Sequence, residues 1–279
     1  MFDSTLLNRI GLLALRRKSV QISTVLVVLF AAITGFSTQM ATAQVVETPE
    51  FVLDSGSVTA GGFEDSDGIL WFATANGALR YDYRNAKYFN TNGSAFISRV
   101  GTIAEDHQGR IWFGRSAGGV VVYDKSDNSF VTYQHDPTDP DSLSSDTMNW
   151  VPRLIATRSD GSVWVGTNNG LNVMKGAGDG FSHYYHDPSD PHSLAGNDIW
   201  GLHIDKKDRI WVATRSGLSR LDPGKDRFVN YTHDPADPAS LPSDQVNSVA
   251  EGRYGEIWLG TEKGLSRLDV SSGEFKNYR

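Results

Sequence analysis

Residues 246–278 read VNSVAEGRYGEIWLGTEKGLSRLDVSSGEFKNY. Glycine-bearing turns cut this stretch into four segments of five or six residues: Val246–Glu251, Ile257–Thr261, Leu265–Asp269 and Glu274–Tyr278. The segments are rich in Val, Ile, Leu and aromatic residues, which suits short strands, and they are too short for ordinary helices. Four strands joined by tight turns make one small antiparallel sheet.

The pattern recurs along the chain. Trp71, Trp112, Trp164, Trp211 and Trp258 stand in ILWFAT, RIWFGR, SVWVGT, RIWVAT and EIWLGT, at separations of 41, 52, 47 and 47 residues. A turn precedes each of them, with glycine in four copies and Lys206-Lys207-Asp208 in the fourth. A second turn and a strand-like segment follow: NGALRYD, AGGVVVYD, NGLNVMK, SGLSRLD and KGLSRLD. An aromatic lies 17 or 18 residues after each Trp, at Tyr88, Phe130, Phe181, Phe228 and Phe275, and four copies add Tyr133, Tyr184, Tyr231 or Tyr278 three positions on.

One four-stranded sheet per ~40–50 residues is the unit of a β-propeller, in which blades stack face to face around an axis. The expected fold is therefore all-β, a propeller of four-stranded antiparallel blades. Five repeats are present, at about 58–91, 98–134, 149–185, 198–232 and 245–279. A single blade cannot bury both faces. The repeated Trp and the late Phe and Tyr are expected to fill the gaps between blades, where each ring hides ~150–250 Å².

These residues carry a resemblance. The run V-x-x-I-x-x-D-x-x-G-x-I-W-x-G-T-x-x-G-L-x-R-x-D…F-x-x-Y resembles the two-component regulator propeller repeat. Residues 246–278 follow it nearly throughout and 198–231 follow it well, and the linkers HDPTDPDSL (135–143), HDPSDPHSL (186–194) and HDPADPASL (233–241) are typical of such sensors. Departures are Arg115 in place of Thr, an extra residue before Asp124, Lys175 in place of Asp, and the missing HDPxDP linker of the first copy. The resemblance covers about residues 58–279. It implies the periplasmic sensor region of a hybrid histidine kinase or diguanylate cyclase, which in full-length relatives continues through more blades, a β-sandwich and a membrane helix to the output domain.

The 279 residues contain 28 Gly, seven Trp and no Cys, with a formal charge of −7. This excludes disulfides, thiol nucleophiles and Cys-ligated metals. Asp3 against Arg9, Arg16, Arg17 and Lys18 makes residues 1–43 locally positive, so the remainder is near −10. Such an acidic body lacks the basic footprint of nucleic-acid binding. Arg16-Arg17-Lys18, the uncharged run from Ile22 to Phe36 and Ala41-Thr42-Ala43 form a signal-peptide pattern. Cleavage after Ala43, a lead-in at 44–57 and a periplasmic location are expected. As a helix the uncharged run would be only ~22 Å long, short of a ~30 Å hydrocarbon core. Membrane attachment is thus expected only through the uncleaved signal or missing C-terminal parts. Only Phe51–Leu53 offers a closing strand, and the favoured reading is a fragment of a larger propeller over a closed five-bladed ring.

In a blade whose strands run from axis to rim, the turn between second and third strands shares one face with the long return to the next inner strand. The prolines of the HDPxDPxSL returns fix φ and stiffen them. The candidate ligand site is this axial face: Arg99, Asn149, Trp150, Asp198, Trp200 and Asn247 near the inner strands, with Arg115, Asn168, Arg215 and Lys263 on neighbouring turns. Trp150 and Trp200 lie outside the repeated Trp position, and aromatics beside Arg and Asn suit a saccharide-like or other polar small molecule. The competing reading packs both indoles between blades. His135, His186 and His233 recur in one linker slot, where local turn hydrogen bonding is preferred to a metal ring. The turns 64–68 and 157–161 lack the ligand pattern of a calcium loop. The sequence has no G-x-S-x-G, H-E-x-x-H, P-loop or kinase motif. No cofactor is expected.

The leading expectation is a non-catalytic, ligand-sensing propeller region, with a dimer expected for the full-length sensor. Alternatives are a secreted propeller enzyme of the lyase or hydrolase class, since the chain remotely resembles streptogramin lyase, and an autonomous five-bladed interaction scaffold.

Overall fold

The computed structural model describes residues 61–89, 99–149, 151–174, 176, 178 and 180–278. The expected signal segment and its cleavage point, the lead-in, Phe51–Leu53, Trp150 and Lys175 lie outside the described residues. All secondary structure among the described residues is β, in five antiparallel four-stranded sheets. The first holds β1 (Gly61–Glu64), β2 (Leu70–Thr74), β3 (Gly77–Tyr81) and β4 (Ala86–Phe89). The second holds β5 (Val100–Glu105), β6 (Ile111–Arg115), β7 (Val120–Asp124) and β8 (Ser129–Tyr133). The third holds β9 (Ile155–Thr157), β10 (Val163–Thr167), β11 (Gly170–Met174) and β12 (Phe181–Tyr184). The fourth holds β13 (Ile199–Ile204), β14 (Ile210–Thr214), β15 (Gly217–Leu221) and β16 (Phe228–Tyr231). The fifth holds β17 (Val246–Glu251), β18 (Ile257–Thr261), β19 (Gly264–Leu268) and β20 (Phe275–Tyr278). Strand order within every sheet is chain order, the up-and-down connectivity of a propeller blade.

Short turns fix the register. Between second and third strands a threonine hydroxyl donates to the carbonyl of the following glycine, at Thr74–Gly77, Thr167–Gly170, Thr214–Gly217 and Thr261–Gly264. The second sheet has Arg115 there, and its turn widens to close through Arg115 N on Gly119 O. Between first and second strands the turn needs a left-handed residue, supplied by Gly68, Gly109, Gly161 and Gly255. Asp208 holds φ 62° in the fourth copy, where Asp tolerates the conformation that most side chains avoid.

The tryptophans are the core. Trp71, Trp112 and Trp211 are fully buried, and Trp164 nearly so. A buried aspartate six residues earlier accepts each indole N–H in three sheets, from Trp71 to Asp65, Trp112 to Asp106 and Trp211 to Asp205. Ser162 and Glu256 replace it for Trp164 and Trp258. Within a sheet the late Tyr stacks on the Trp, as Tyr231 does on Trp211 at 6.1 Å. Between sheets the same Tyr receives the next sheet's Phe edge-on: Tyr133–Phe181, Tyr184–Phe228 and Tyr231–Phe275, at 5.5, 5.4 and 5.8 Å. One ring thus closes two gaps.

The first copy corrects the sequence alignment. Ala78 pairs with Phe89, as Leu218 pairs with Tyr231, so Phe89 takes the late-Tyr place and Ala86 the Phe place. Tyr88, counted from Trp71 as the repeated aromatic, faces outward. The blade's outer turn is shorter by two residues than spacing alone suggests, four residues (82–85) against six (222–227) in the fourth copy.

Candidate functional site

The linkers organise the mouth of the stack. In each HDPxDPxSL loop the His backbone N–H donates to Asp146, Asn197 or Asp244, and its ring Nδ1 donates to the carbonyl of the terminal Leu at 2.6 Å. His135, His186 and His233 are thereby tied into their own loops. The terminal Leu residues, Leu143, Leu194 and Leu241, are buried. Each linker returns the chain beside the turn between second and third strands: Arg215 N donates to Asp198 O, Asn168 N to Thr147 O, Glu262 N to Gln245 O and Ser116 N to Arg99 O.

Three inner strands enter through a β-bulge, at Val100/Thr102, Ile199/Gly201 and Val246/Ser248. The extra residues are Gly101, Trp200 and Asn247. A bulge re-aims its side chain out of the pleat and recurs next to functional sites. Trp200 is then braced on every polar side. Its Nε1 donates to Asp198 Oδ2 at 2.9 Å, and the Arg215 guanidinium lies over its ring at 3.8 Å. Asn149 Nδ2 donates to Asp198 Oδ1 and to Ile199 O, both at 2.7 Å, while Arg215 Nη1 donates to Gln245 Oε1 at 2.5 Å. Asn149, Asp198, Trp200 and Arg215 are thus brought into one network. It spans the entries of the third, fourth and fifth sheets, and it favours one indole orientation before any ligand arrives.

Beside it lies a cavity of about 340 Å³ whose lining includes Trp200, Asn247, Pro152, Arg153, Trp258 and Leu265. Val151–Arg153 is the hub on which inner strands converge. Thr102 Oγ1 donates to Pro152 O, Leu202 N donates to Arg153 O, and a Cβ on Gly61 would stand 3.1 Å from Pro152 Cβ. Apolar surface dominates the cavity, with Arg153 and Asn247 as polar groups, an arrangement suited to a ring-bearing ligand held by a few directed polar contacts. Behind it, on β13, burial and then the Arg153 charge hold the His203 imidazole below its ordinary range, and its Nε2 has no hydrogen-bond partner.

The other expected site residues stand apart. Arg99 and Arg115 belong to the second sheet, outside the lining of this cavity, and burial pulls the Arg115 guanidinium down while Asp146 opposes it. Asn168 and Lys263 are exposed on their turns, and Trp150 lies outside the described residues. Gln245, Pro152 and Arg153 were not foreseen. Gln245 was readable, since it precedes Val246 just as Asp198 precedes Ile199. Pro152 and Arg153 follow no repeat position, because β9 is cut to three residues and the chain before it is irregular.

No helix among the described residues is long and apolar enough to cross a membrane, and among them no group of three or more His, Asp or Glu could hold a metal ion.

The family model described as two component regulator propeller matches residues 193–216 and 240–263. These two segments run from a linker's end, through the inner strand, to the turn after the Trp strand. The chain is similar to histidine kinase P4 of Formosa agariphila, with 35% identity over 116 residues, 39% of this chain and 8% of that protein. In structure it is similar to the extracellular domain of a hybrid two-component system from B. thetaiotaomicron, with TM-score 0.65 and 23% identity over 80% of this chain and 30% of that one. It is also similar to virginiamycin B lyase from Staphylococcus aureus, with TM-score 0.57 and 19% identity over 85% of this chain and 74% of that one. At such identities the structural likeness concerns the fold alone. The two matched segments lie in the fourth and fifth sheets, and the other three sheets share their strand order and the register of their Trp strand.

Proposed function

We propose that this chain is the exported, ligand-sensing propeller region of a bacterial signal-transduction protein, and that it is itself non-catalytic. In this reading a small molecule occupies the mouth beside Trp200, and its binding biases the state of an output domain elsewhere in a longer protein. The observation that carries it is the bracing of Trp200. An indole carried out of the pleat by a bulge, with its N–H held by Asp198 and one face covered by Arg215, is a stacking platform made ready in advance. The similarity to a histidine kinase supports the signalling context, and the N-terminal signal pattern supports export. A ligand signals only through different affinities for two states, so binding alone is the property that this chain must show.

The test is a titration of the chain with a panel of mono- and oligosaccharides, followed by intrinsic fluorescence. The expected result is a saturable change that Trp200→Leu abolishes while the melting temperature stays within a few degrees. A saturable change that survives Trp200→Leu would refute the location. Conversion of the bound compound by the purified chain would refute the non-catalytic reading.

A further inference from the structure

The cavity beside Trp200 carries its charge on one side chain. Among its described lining residues Arg153 is the single charged group, and apart from Asn247 and Ser248 the rest are aromatic, aliphatic or glycine. No Asp or Glu stands among them, in a chain with 33 acidic side chains against 26 basic ones. Other arginines are neutralised where they stand: Asp106 pairs with Arg110 at 2.7 Å, Asp205 with Arg209 at 2.6 Å and Asp222 with Arg220 at 3.0 Å. Among the described residues Arg153 forms no ion pair and its exposed guanidinium has no hydrogen-bonded acceptor. Its backbone is nevertheless fixed. Arg153 O accepts from Leu202 N at 2.8 Å, two residues beyond Trp200, and Pro152 O accepts from Thr102 Oγ1 at 3.1 Å. The base of the side chain is thus anchored beside the indole while its head is unengaged.

We infer that the ligand of this mouth bears a carboxylate on its ring, so that the ring stacks on Trp200 while the carboxylate accepts from Arg153. This rests on the reading of the mouth as a ligand site and narrows it to one chemical class. A guanidinium offers donors alone, in a planar fork that matches the two oxygens of a carboxylate. Asp198, the acid of the adjoining network, does not line the cavity, and its Oδ1 is taken by Asn149 and its Oδ2 by Trp200. The Arg153 charge is felt behind the cavity as well, where burial first and then Arg153 hold the His203 imidazole below its ordinary range. The acidic surplus of the chain does not cancel this local field, because at physiological salt exposed charges are screened beyond about 8 Å. The Asn247 amide, also unengaged among the described residues, adds a donor and an acceptor for ring substituents. A neutral ring would leave the guanidinium beside apolar surface with only water to receive its donors, and the site discriminates against it on that account. Hexuronic acids and aromatic carboxylic acids both supply a ring-borne carboxylate.

The test is a paired titration of the whole chain by calorimetry, each acid set against its neutral counterpart. One arm compares galacturonate with galactose, the other benzoate with benzyl alcohol, and the arm that responds identifies the ring. In at least one arm the acid is expected to bind at least about fivefold tighter than its counterpart, as fits an ion pair partly open to water. Arg153→Met, which keeps most of the stem, and Arg153→Gln should each bring this preference to within about twofold. Lys207→Met removes an equal charge from the exposed turn before β14 and should leave the preference as it is. In the parent chain, raising the salt from about 0.05 to 0.5 M should narrow the preference. Equal affinities in both arms, no binding by either acid, or a preference that survives both Arg153 variants would overturn the inference. Its failure is separable from that of the site. Neutral compounds bound without any acid preference, and lost with Trp200→Leu, would keep the mouth and remove the carboxylate. An Arg153-dependent preference that survives Trp200→Leu would keep the carboxylate and remove the stacking.

Discussion

Asp205→Ala tests whether the buried aspartate is what lets a tryptophan sit at the centre of a blade. The Asp205 side chain is fully buried and accepts four hydrogen bonds: Trp211 Nε1 at 2.8 Å, Arg209 Nε at 2.6 Å, and the backbone N–H groups of Lys207 and Arg209 at 2.9 and 3.0 Å. Burial pushes its carboxyl up, but the bonds from Trp211 and Arg209 reverse this and hold it below the usual carboxylate range. Alanine leaves the fully buried indole N–H unpaired, at about 1–3 kcal/mol, and removes the acceptor that orders the turn; together the loss is roughly 3–5 kcal/mol. Against a typical total of about 5–15 kcal/mol this is a large fraction. The assay is urea unfolding of a double-mutant cycle with Trp211→Phe, which has no N–H to strand. The Asp205→Ala cost should shrink by about 1–3 kcal/mol in that background. Glu256→Ala, beside the half-exposed Trp258, should cost clearly less than Asp205→Ala. A coupling below about 0.5 kcal/mol, the additivity error for independent sites, would refute the reasoning.

Phe228→Ala empties a buried ring site that meets Tyr184 edge-on and should cost about 3–5 kcal/mol in the same unfolding assay. Asn230→Ala releases the linker, since Asn230 Nδ2 donates to Ser193 O and its Oδ1 accepts from Ser219 Oγ; about 1 kcal/mol of stability and faster proteolysis within residues 186–194 are expected. His203 is held below its ordinary pKa in the folded chain, so the unfolded chain binds its proton first. Its contribution is therefore constant above pH ~6.5 and is lost as pH falls below that, by at most about 1.4 kcal/mol per unit. Thermal melts of His203→Ala across pH 7 to 5 should show a shallower decline than the parent.

Much of the fold was legible because its information is local and repeated. Val246–Glu251 and Ile257–Thr261 are strands at the expected residues, β19 is displaced by one residue as a whole, and β20 starts one residue later than expected. Turn chemistry and two-residue alternation set those boundaries, and both are properties of neighbouring residues. Counting from Trp71 misplaces the aromatic of the first copy because it cannot detect a turn shortened by two residues, whereas cross-strand pairing can. At the mouth, Asn149, Asp198, Trp200 and Arg215 were named together because the propeller path brings strand entries and turns to one face. Their mutual hydrogen bonds depend on bulge positions, which no propensity marks. Pro152 and Arg153 escaped notice because they meet the first, second and fourth sheets and hold a repeat position in none.

Trp200 and Asn247 belong to the fourth and fifth inner strands, and Trp258 and Leu265 line the same cavity. A ligand stacked on Trp200 would therefore lie beside apolar surface that Leu265, 45% exposed, leaves partly open to water. Its hydrogen bonds to Arg153 or Asn247 would compete with solvent there, so most of its affinity would come from stacking and apolar burial, with the polar contacts setting its orientation.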